Sequence, residues 1–440
     1  MGDSPDPDGD SALIELQSRE EESMQRSDPG SRIPSSRQGQ QTNCEPRRLR
    51  WVRSIARAAL GMAVLGTVAF SGFSPIVAGA QDATPAATVG WQPDPNCQSD
   101  DPVVQEAIEA TMQRTGPQTA WFGPTEGPKP QPGTKVVYIP TDAQNALSVE
   151  WGEQIQEAGK EIGWDVTVID GKGTAQGWTA ALTQAIALHP AAIMTSMDVT
   201  TVADLALEAD AQGIKVIGLH GVALPGPAPD VGLFSNITSD PHEIGQAEAD
   251  YIIADSCGTG KAIILYDGNY EIARTKAEAM RDQFARCTTC ELLDYVNSPL
   301  SEITTRTPQV FTNWAAQFGT GWYVMTIYDG YYDFGIPALR TGGIGPDEVN
   351  LVGSDGTKEA YDRIRAGEYQ VATVPEPPSL QAYQALDDAV RAAAGMEPAN
   401  WTQPVFLVTQ ENIEIEGGPD SIFVPSNDFK ARYFELWGVE

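Results

Sequence analysis

The 440-residue chain is long enough for two ordinary domains, and its 41% hydrophobic and 20% charged residues fit a globular protein. Its 28 basic residues face 60 acidic ones, a formal net charge of −32. So acidic a surface repels phosphate backbones, which excludes nucleic acid as a partner.

Residues 1–57 are polar, lack an apolar period and end in a basic stretch from Arg47 to Arg57; they are expected to be disordered. An uncharged run from Ala58 to Ala80 follows and closes on Ala78-Gly79-Ala80. Basic residues, an apolar run and small residues at the last and third-last positions make a secretory signal over 58–80. The plain alternative is an uncleaved anchor, since the run is long enough to span a bilayer. Without residues 1–80 the chain loses 9 basic and 10 acidic residues and keeps 19 against 50. Residues 81–133, rich in Pro, Gly, Gln and Thr, read as an extended strap with one short helix near Asp101–Gly116.

From Lys135 strands and helices alternate. Strands are expected at 135–140, 165–170, 191–197 and 215–221, with helices at 148–164, 176–189 and 202–213 between them. A second series starts after Asp240. Its strands fall at 261–268, 291–296, 322–329, 349–355 and 369–374, each beside an amphipathic helix, and a further helix covers 379–395. Such alternation implies βαβ crossovers and parallel sheets, and two series imply two open α/β lobes. Ligands of open α/β sheets bind beyond the carboxyl ends of the strands. The polar residues placed there are Asn145, Ser196, Asp198, His220, Asp267, Asp329 and Asp355.

Enzyme motifs are not completed. Gly258–Ala262 is not a phosphate loop, because Asp255 stands where its leading Gly belongs and Ala262 where its Ser or Thr belongs. Gly353-Ser354-Asp355-Gly356 is not a nucleophile elbow. Three scattered His residues and one unrepeated Cys287-Thr-Thr-Cys290 give no metal-binding spacing, so neither metal nor cofactor is expected.

The order of elements and several segments resemble the sugar-type periplasmic binding proteins, the ribose-binding-protein-like substrate-binding subunits of ABC transporters. The segments are Gly213–Ile217, Asn236–Asp240 followed by Gly245, Ala273–Lys276, and above all Leu351–Val374 with its Gly-Ser-Asp-Gly-Thr turn. The resemblance spans roughly residues 134–410. It implies a type I periplasmic-binding-protein fold, two Rossmann-like parallel-sheet lobes joined by a three-strand hinge near 236–240, 374–378 and 403–405. Lobe 1 would comprise 134–238 with 377–403, and lobe 2 would comprise 239–376 with 404–440.

Carried across by position, the ligand-facing residues are Asn145, His220, Lys276, Tyr328, Asp329, Asp355 and Glu376. Asp198 joins them as a strand-end carboxylate. Trp178 joins them as an aromatic face for the C–H side of a sugar. For Asp355 and Asp329 the plain alternative is helix or turn capping. This chain departs from the ribose-type pattern at Ala146, Leu147 and Ser148, where the family has an aromatic pair. Departures also occur at His220-Gly221 for an Asp-Arg pair, at Lys276 for an Arg and at Ser354 for a Phe.

The resemblance implies an exported, monomeric binding protein, in the periplasm or on the outer face of the membrane. Its partners would be a sugar- or polyol-like ligand and an ABC permease, with no catalysis. A ligand-presenting sensor and an exported glycosidase are the competing readings. An even set of cysteines, Cys97, Cys257, Cys287 and Cys290, suggests disulfides in an exported chain. By topology Cys257 pairs with Cys287 or Cys290, and the other fastens Cys97.

Overall fold

Runs of β-branched residues buried on both faces build strands here, and the helices between them turn one apolar stripe inward. A computed structural model describes residues 90–439. The expected disordered segment and secretory signal lie outside the described residues.

Chain order begins with helix α1 (Pro102–Thr115), capped by Asp101. Six strands of a first sheet follow: β1 (Lys135–Ile139), β2 (Asp165–Val168), β3 (Ala192–Thr195), β4 (Lys215–Leu219), β5 (Gly226–Ala228) and β6 (Leu233–Ile237). Their spatial order is β2-β1-β3-β4-β6-β5, parallel throughout except for the β5–β6 pair. Helices α2 (Ala146–Glu161), α3 (Ala175–Ala187) and α4 (Ala203–Ala211) make the crossovers. The sequence reading missed β5, a three-residue strand with a proline at its centre.

Helix α5 (Pro241–Asp255) opens the second lobe. Its strands are β7 (Lys261–Tyr266), β8 (Glu291–Asn297), β9 (Trp322–Thr326), β10 (Val349–Asp355), β11 (Gln370–Pro375) and a two-residue β12 (Val408–Thr409). They lie in the order β12-β11-β10-β9-β7-β8, with only β12 antiparallel. Helices α6 (Glu271–Phe284), α7 (Ile303–Phe318), α8 (Tyr331–Thr341) and α9 (Lys358–Ala366) connect them. The two sheets are separate, so the fold is the type I periplasmic-binding-protein architecture. Gly245 of α5 lies so close to the Lys276 carbonyl of α6 that a Cβ there would sit 2.3 Å away. The tight helix pair thereby sets the depth of Lys276.

Helix α10 (Pro378–Ala393) returns to the first lobe and packs with Trp151 and Ile155 of α2 in its core. The chain then crosses to β12, where Phe406, Val408, Ile413 and Phe423 pack on Tyr361 and Ile364 of α9. The last helix, α11 (Phe429–Trp437), departs from the expected boundary. Phe429, Tyr433 and Trp437 pack around Tyr383 of α10, so the end of the chain belongs with lobe 1 instead of lobe 2.

The cysteine pairing also differs from expectation. The bonds are Cys97–Cys257 and Cys287–Cys290. Cys257 sits in a left-handed turn at the end of α5, and Gly258 beside it lies against Val104 of α1, so the segment preceding α1 is brought to Cys257. Cys287 and Cys290 face each other across one tight turn, closed by the Cys290 amide donating to the Cys287 carbonyl. Replacing Cys97 and Cys257 together by Ser should cost about 2–5 kcal/mol of stability, because their bond closes a long loop in the unfolded chain. The Cys287 and Cys290 pair should cost less; urea unfolding of the two double variants checks the order.

Candidate functional site

Asp355 ends β10 in a left-handed conformation, φ 82°, followed by Gly356 at φ 70°. A non-glycine residue in that region costs on the order of 1–3 kcal/mol and marks a place where the surroundings over-determine the backbone. Capping does not explain it: the cap of α9 is Thr357, whose hydroxyl accepts the Ala360 amide at 3.2 Å. The turn is held by Asp329, which follows β9. Its carboxylate accepts the Gly356 and Thr357 amides at 2.9 and 3.3 Å, the Gln370 side-chain amide at 2.6 Å and the Thr373 hydroxyl at 2.7 Å. Burial raises the Asp329 carboxyl to about 7 against the pull of these donors. Asp329 is fully buried, so it positions Asp355 from behind.

In front of that turn lies Lys276 of α6, 4% exposed, with its ammonium 2.7 Å from Asp355 Oδ1. Burial alone would lower its pKa, but Asp355 and Glu376 together hold it above the usual lysine value. Asp355 itself keeps 24% of its side chain exposed, and among the described residues Oδ2 accepts no hydrogen bond. The result is a carboxylate half-neutralised by Lys276, with one oxygen still able to accept. Glu248 of α5 lies under this group, with Oε2 accepting the Thr326 amide at 3.1 Å. Burial drives its carboxyl well up, favouring the protonated form.

Glu376 occupies the passage from β11 to α10. Its Oε2 accepts the Ser239 hydroxyl and the Gln381 side-chain amide, each at 2.6 Å, while Oε1 faces His220 Nε2 at 3.5 Å. Burial alone would raise the Glu376 carboxyl, but His220, Lys276 and Ser239 outweigh it and bring the value down to about 2. His220 follows β4 in a left-handed conformation, φ 59°, and its ring stands edge-on to Trp151 with centroids 5.0 Å apart. The Trp151 indole N–H donates to Gln381 Oε1 at 3.0 Å, which closes a ring of contacts back to Glu376. Glu376 therefore lies between a lobe 1 residue, His220, and the lobe 2 cation, Lys276.

The structure thus brings together Lys276, Asp355, Glu376 and His220, with Asp329 behind them. Tyr328 borders the group: burial first, then Asp355 and Asp329, raise its hydroxyl to about 12. The remaining candidates make local contacts on the lobe 1 rim. Asn145 caps α2 by accepting the Ser148 amide at 2.9 Å. Asp198 accepts the Thr200 amide and hydroxyl at 3.0 and 2.6 Å, and its charge reaches Tyr270 of the second lobe. Trp178 donates its indole N–H to the Thr141 carbonyl at 3.0 Å. Sequence reasoning missed Ser239, Gln381 and Glu248. Nothing in their local sequence marks them; only the tertiary fold brings them to Glu376 and Lys276. A surface hollow of about 490 Å³ lies elsewhere, between the strap at Trp121–Lys129 and α11, away from the strand ends.

Comparisons place this geometry in a family. The family model for the periplasmic binding protein domain matches residues 136–397. No curated protein matches the chain. Among solved structures, an ABC transporter solute-binding protein from Bacillus halodurans with bound myo-inositol is 18% identical, with TM-score 0.56 over 64% of this chain and 97% of that one. The Caulobacter myo-inositol binding protein is 21% identical, with TM-score 0.56 over 64% and 94%. A periplasmic ribose ABC transporter protein from Conexibacter woesei is 24% identical, with TM-score 0.56 over 66% and 95%. At these identities the structures speak to the fold, while the family match covers more than half of the chain. The chain belongs to the periplasmic binding protein family.

Proposed function

We propose that this protein is an exported solute-binding protein that captures a sugar- or polyol-like ligand between its lobes and presents it to an ABC importer. The observation that carries the reading is Asp355. Its carboxylate is held on a left-handed turn, braced by Asp329, charge-balanced by Lys276 and left with one accepting oxygen. An ionised carboxylate only accepts hydrogen bonds, so it suits a ligand offering hydroxyl donors. The neighbouring proteins of known structure named above include myo-inositol complexes, which supports the same ligand class.

Capture works by closure. Asp355, Lys276 and Tyr328 come from lobe 2, and His220 and Asp198 come from lobe 1. A ligand bound to one set draws the other across it, which excludes water and strengthens each charge-assisted bond. A permease then reads the closed shape. None of the steps needs proton transfer: the Lys276–Asp355 pair neutralises charge and Asp329 is sealed behind the turn. The protein is accordingly read as a binder without catalysis, acting as a monomer outside the cytoplasmic membrane.

Two outcomes follow. Isothermal titration against a panel of aldoses, alditols and inositols should give a saturable ligand. Asp355→Asn should weaken that ligand about 10- to 100-fold, the loss of one charge-assisted hydrogen bond. A folded protein that binds none of the panel would contradict the reading.

Glu376 adds a pH signature. Its folded pKa lies below the ordinary 4.5, at about 2, so it stabilises the fold above pH 4.5, and this contribution disappears as pH falls towards 2. The shift corresponds to about 3 kcal/mol. Urea unfolding should therefore show Glu376→Gln well below wild type at pH 6, with the gap closing near pH 2–3. A gap that does not change with pH would show that the carboxylate is not held ionised.

A further inference from the structure

Two chain passages beyond the three expected of the hinge connect the lobes. Helix α1 packs in the lobe 2 core through Val104, Ala107 and Ile108, and Arg114 pairs with Asp250 of α5 at 2.6 Å. The strap then runs to lobe 1, where Trp121 packs against Trp401 and Tyr433 at 5.1 and 5.5 Å between centroids. The end of the chain makes the other extra passage, from Phe423 on lobe 2 to Phe429 on lobe 1. Both run beside the third expected passage: the Leu407 amide donates to the Arg114 carbonyl at 2.9 Å, and Asn427 Nδ2 donates to Gln403 Oε1 at 3.2 Å.

One carboxylate ties the two extra passages together. Glu416, 6% exposed and in a left-handed conformation, sits on the lobe 2 side of them. Its Oε1 accepts the Gln118 amide at 2.9 Å and the Ser426 hydroxyl at 2.6 Å, and its Oε2 accepts the Ser426 amide at 2.6 Å. Gln118 lies in the strap and Ser426 in the final passage, about 300 residues apart in sequence. A buried carboxylate with three donors is a strong, directional junction. Ordinary capping does not explain it, since Glu416 caps no helix that either partner opens.

We propose that Glu416 is a positioning residue for ligand capture. It clamps the strap to the final passage, so that the hinge moves as a five-pass bundle and the lobes open through a narrow arc. Each added passage limits lobe displacement to what its own backbone dihedrals absorb, and cross-bonding lets neither passage move alone. A narrow arc keeps Asp355 and Lys276 near His220 and Glu376 before ligand arrives, which lowers the ordering cost of closure. The value of this to capture rests on the closure reading above, but the clamp itself is tested without any ligand.

The test is a lobe-to-lobe distance measured by double electron–electron resonance. Labels go at Thr183→Cys on α3 and Thr312→Cys on α7, both exposed and on opposite lobes. In ligand-free protein, Glu416→Ala should shift the distance distribution to longer values and broaden it. Gln118→Pro, which removes the strap's donor N–H to Glu416 along with the Gln118 side-chain bond to the Gly116 carbonyl, should do the same to a smaller degree. Distributions that superimpose on the parent's, with or without a lower melting temperature, would overturn the proposal and leave Glu416 a local stabiliser. Should Glu416→Ala fail to fold, Gln118→Pro alone decides.

Discussion

A lysine ammonium buried to 4% exposure needs a counter-charge, and much of the site follows from supplying one to Lys276. Asp355 provides it at 2.7 Å, which requires its turn to adopt a left-handed backbone and to be held there. Asp329 does the holding and is itself satisfied by Gln370 and Thr373 of β11. Glu376, on the next passage between the lobes, lies close enough to feel the same ammonium and reaches across to His220. One desolvated cation thus links the ends of β9, β10 and β11 to the strand end after β4. The arrangement leaves little of this charge exposed to water.

Separate sheets make the passages between them the mechanical part of the molecule. Two of these, at Thr238–Asp240 and Glu376–Pro377, carry polar groups of the site, so bending there moves Ser239 and Glu376 along with the lobes. The passages bundled near residues 401–407 carry aromatic packing and backbone hydrogen bonds instead. Chemistry and stiffness are therefore carried by different segments of one hinge. The disulfide from Cys97 to Cys257 anchors the segment ahead of α1 to lobe 2, so the strap is tethered at its start as well as at its end.

Much of this was legible in the sequence because its signals are local. Strand and helix periods gave the two lobes, and the resemblance to the family singled out Asp355 and Lys276 without pairing them. What escaped was non-local. The final helix goes to lobe 1 because Tyr383 of α10 offers it an aromatic surface, and no pattern in residues 429–437 says so. The cysteine pairing was misread because adjacency along a sheet edge was considered and the docking of α1 was not. Asp329 looked like a ligand residue by position, yet its place behind the turn makes it a support. Ser239, Gln381 and Glu416 are polar residues whose partners lie far away in sequence, and only packing reveals them.

The account stands on lobes that move relative to one another and shut on a captured solute. Small-angle X-ray scattering of the wild-type protein, alone and saturated with a solute whose binding calorimetry has verified, tests that most directly. A smaller radius of gyration and a shorter maximum dimension in the saturated sample are the predicted result. Identical profiles for the two samples would contradict capture by closure.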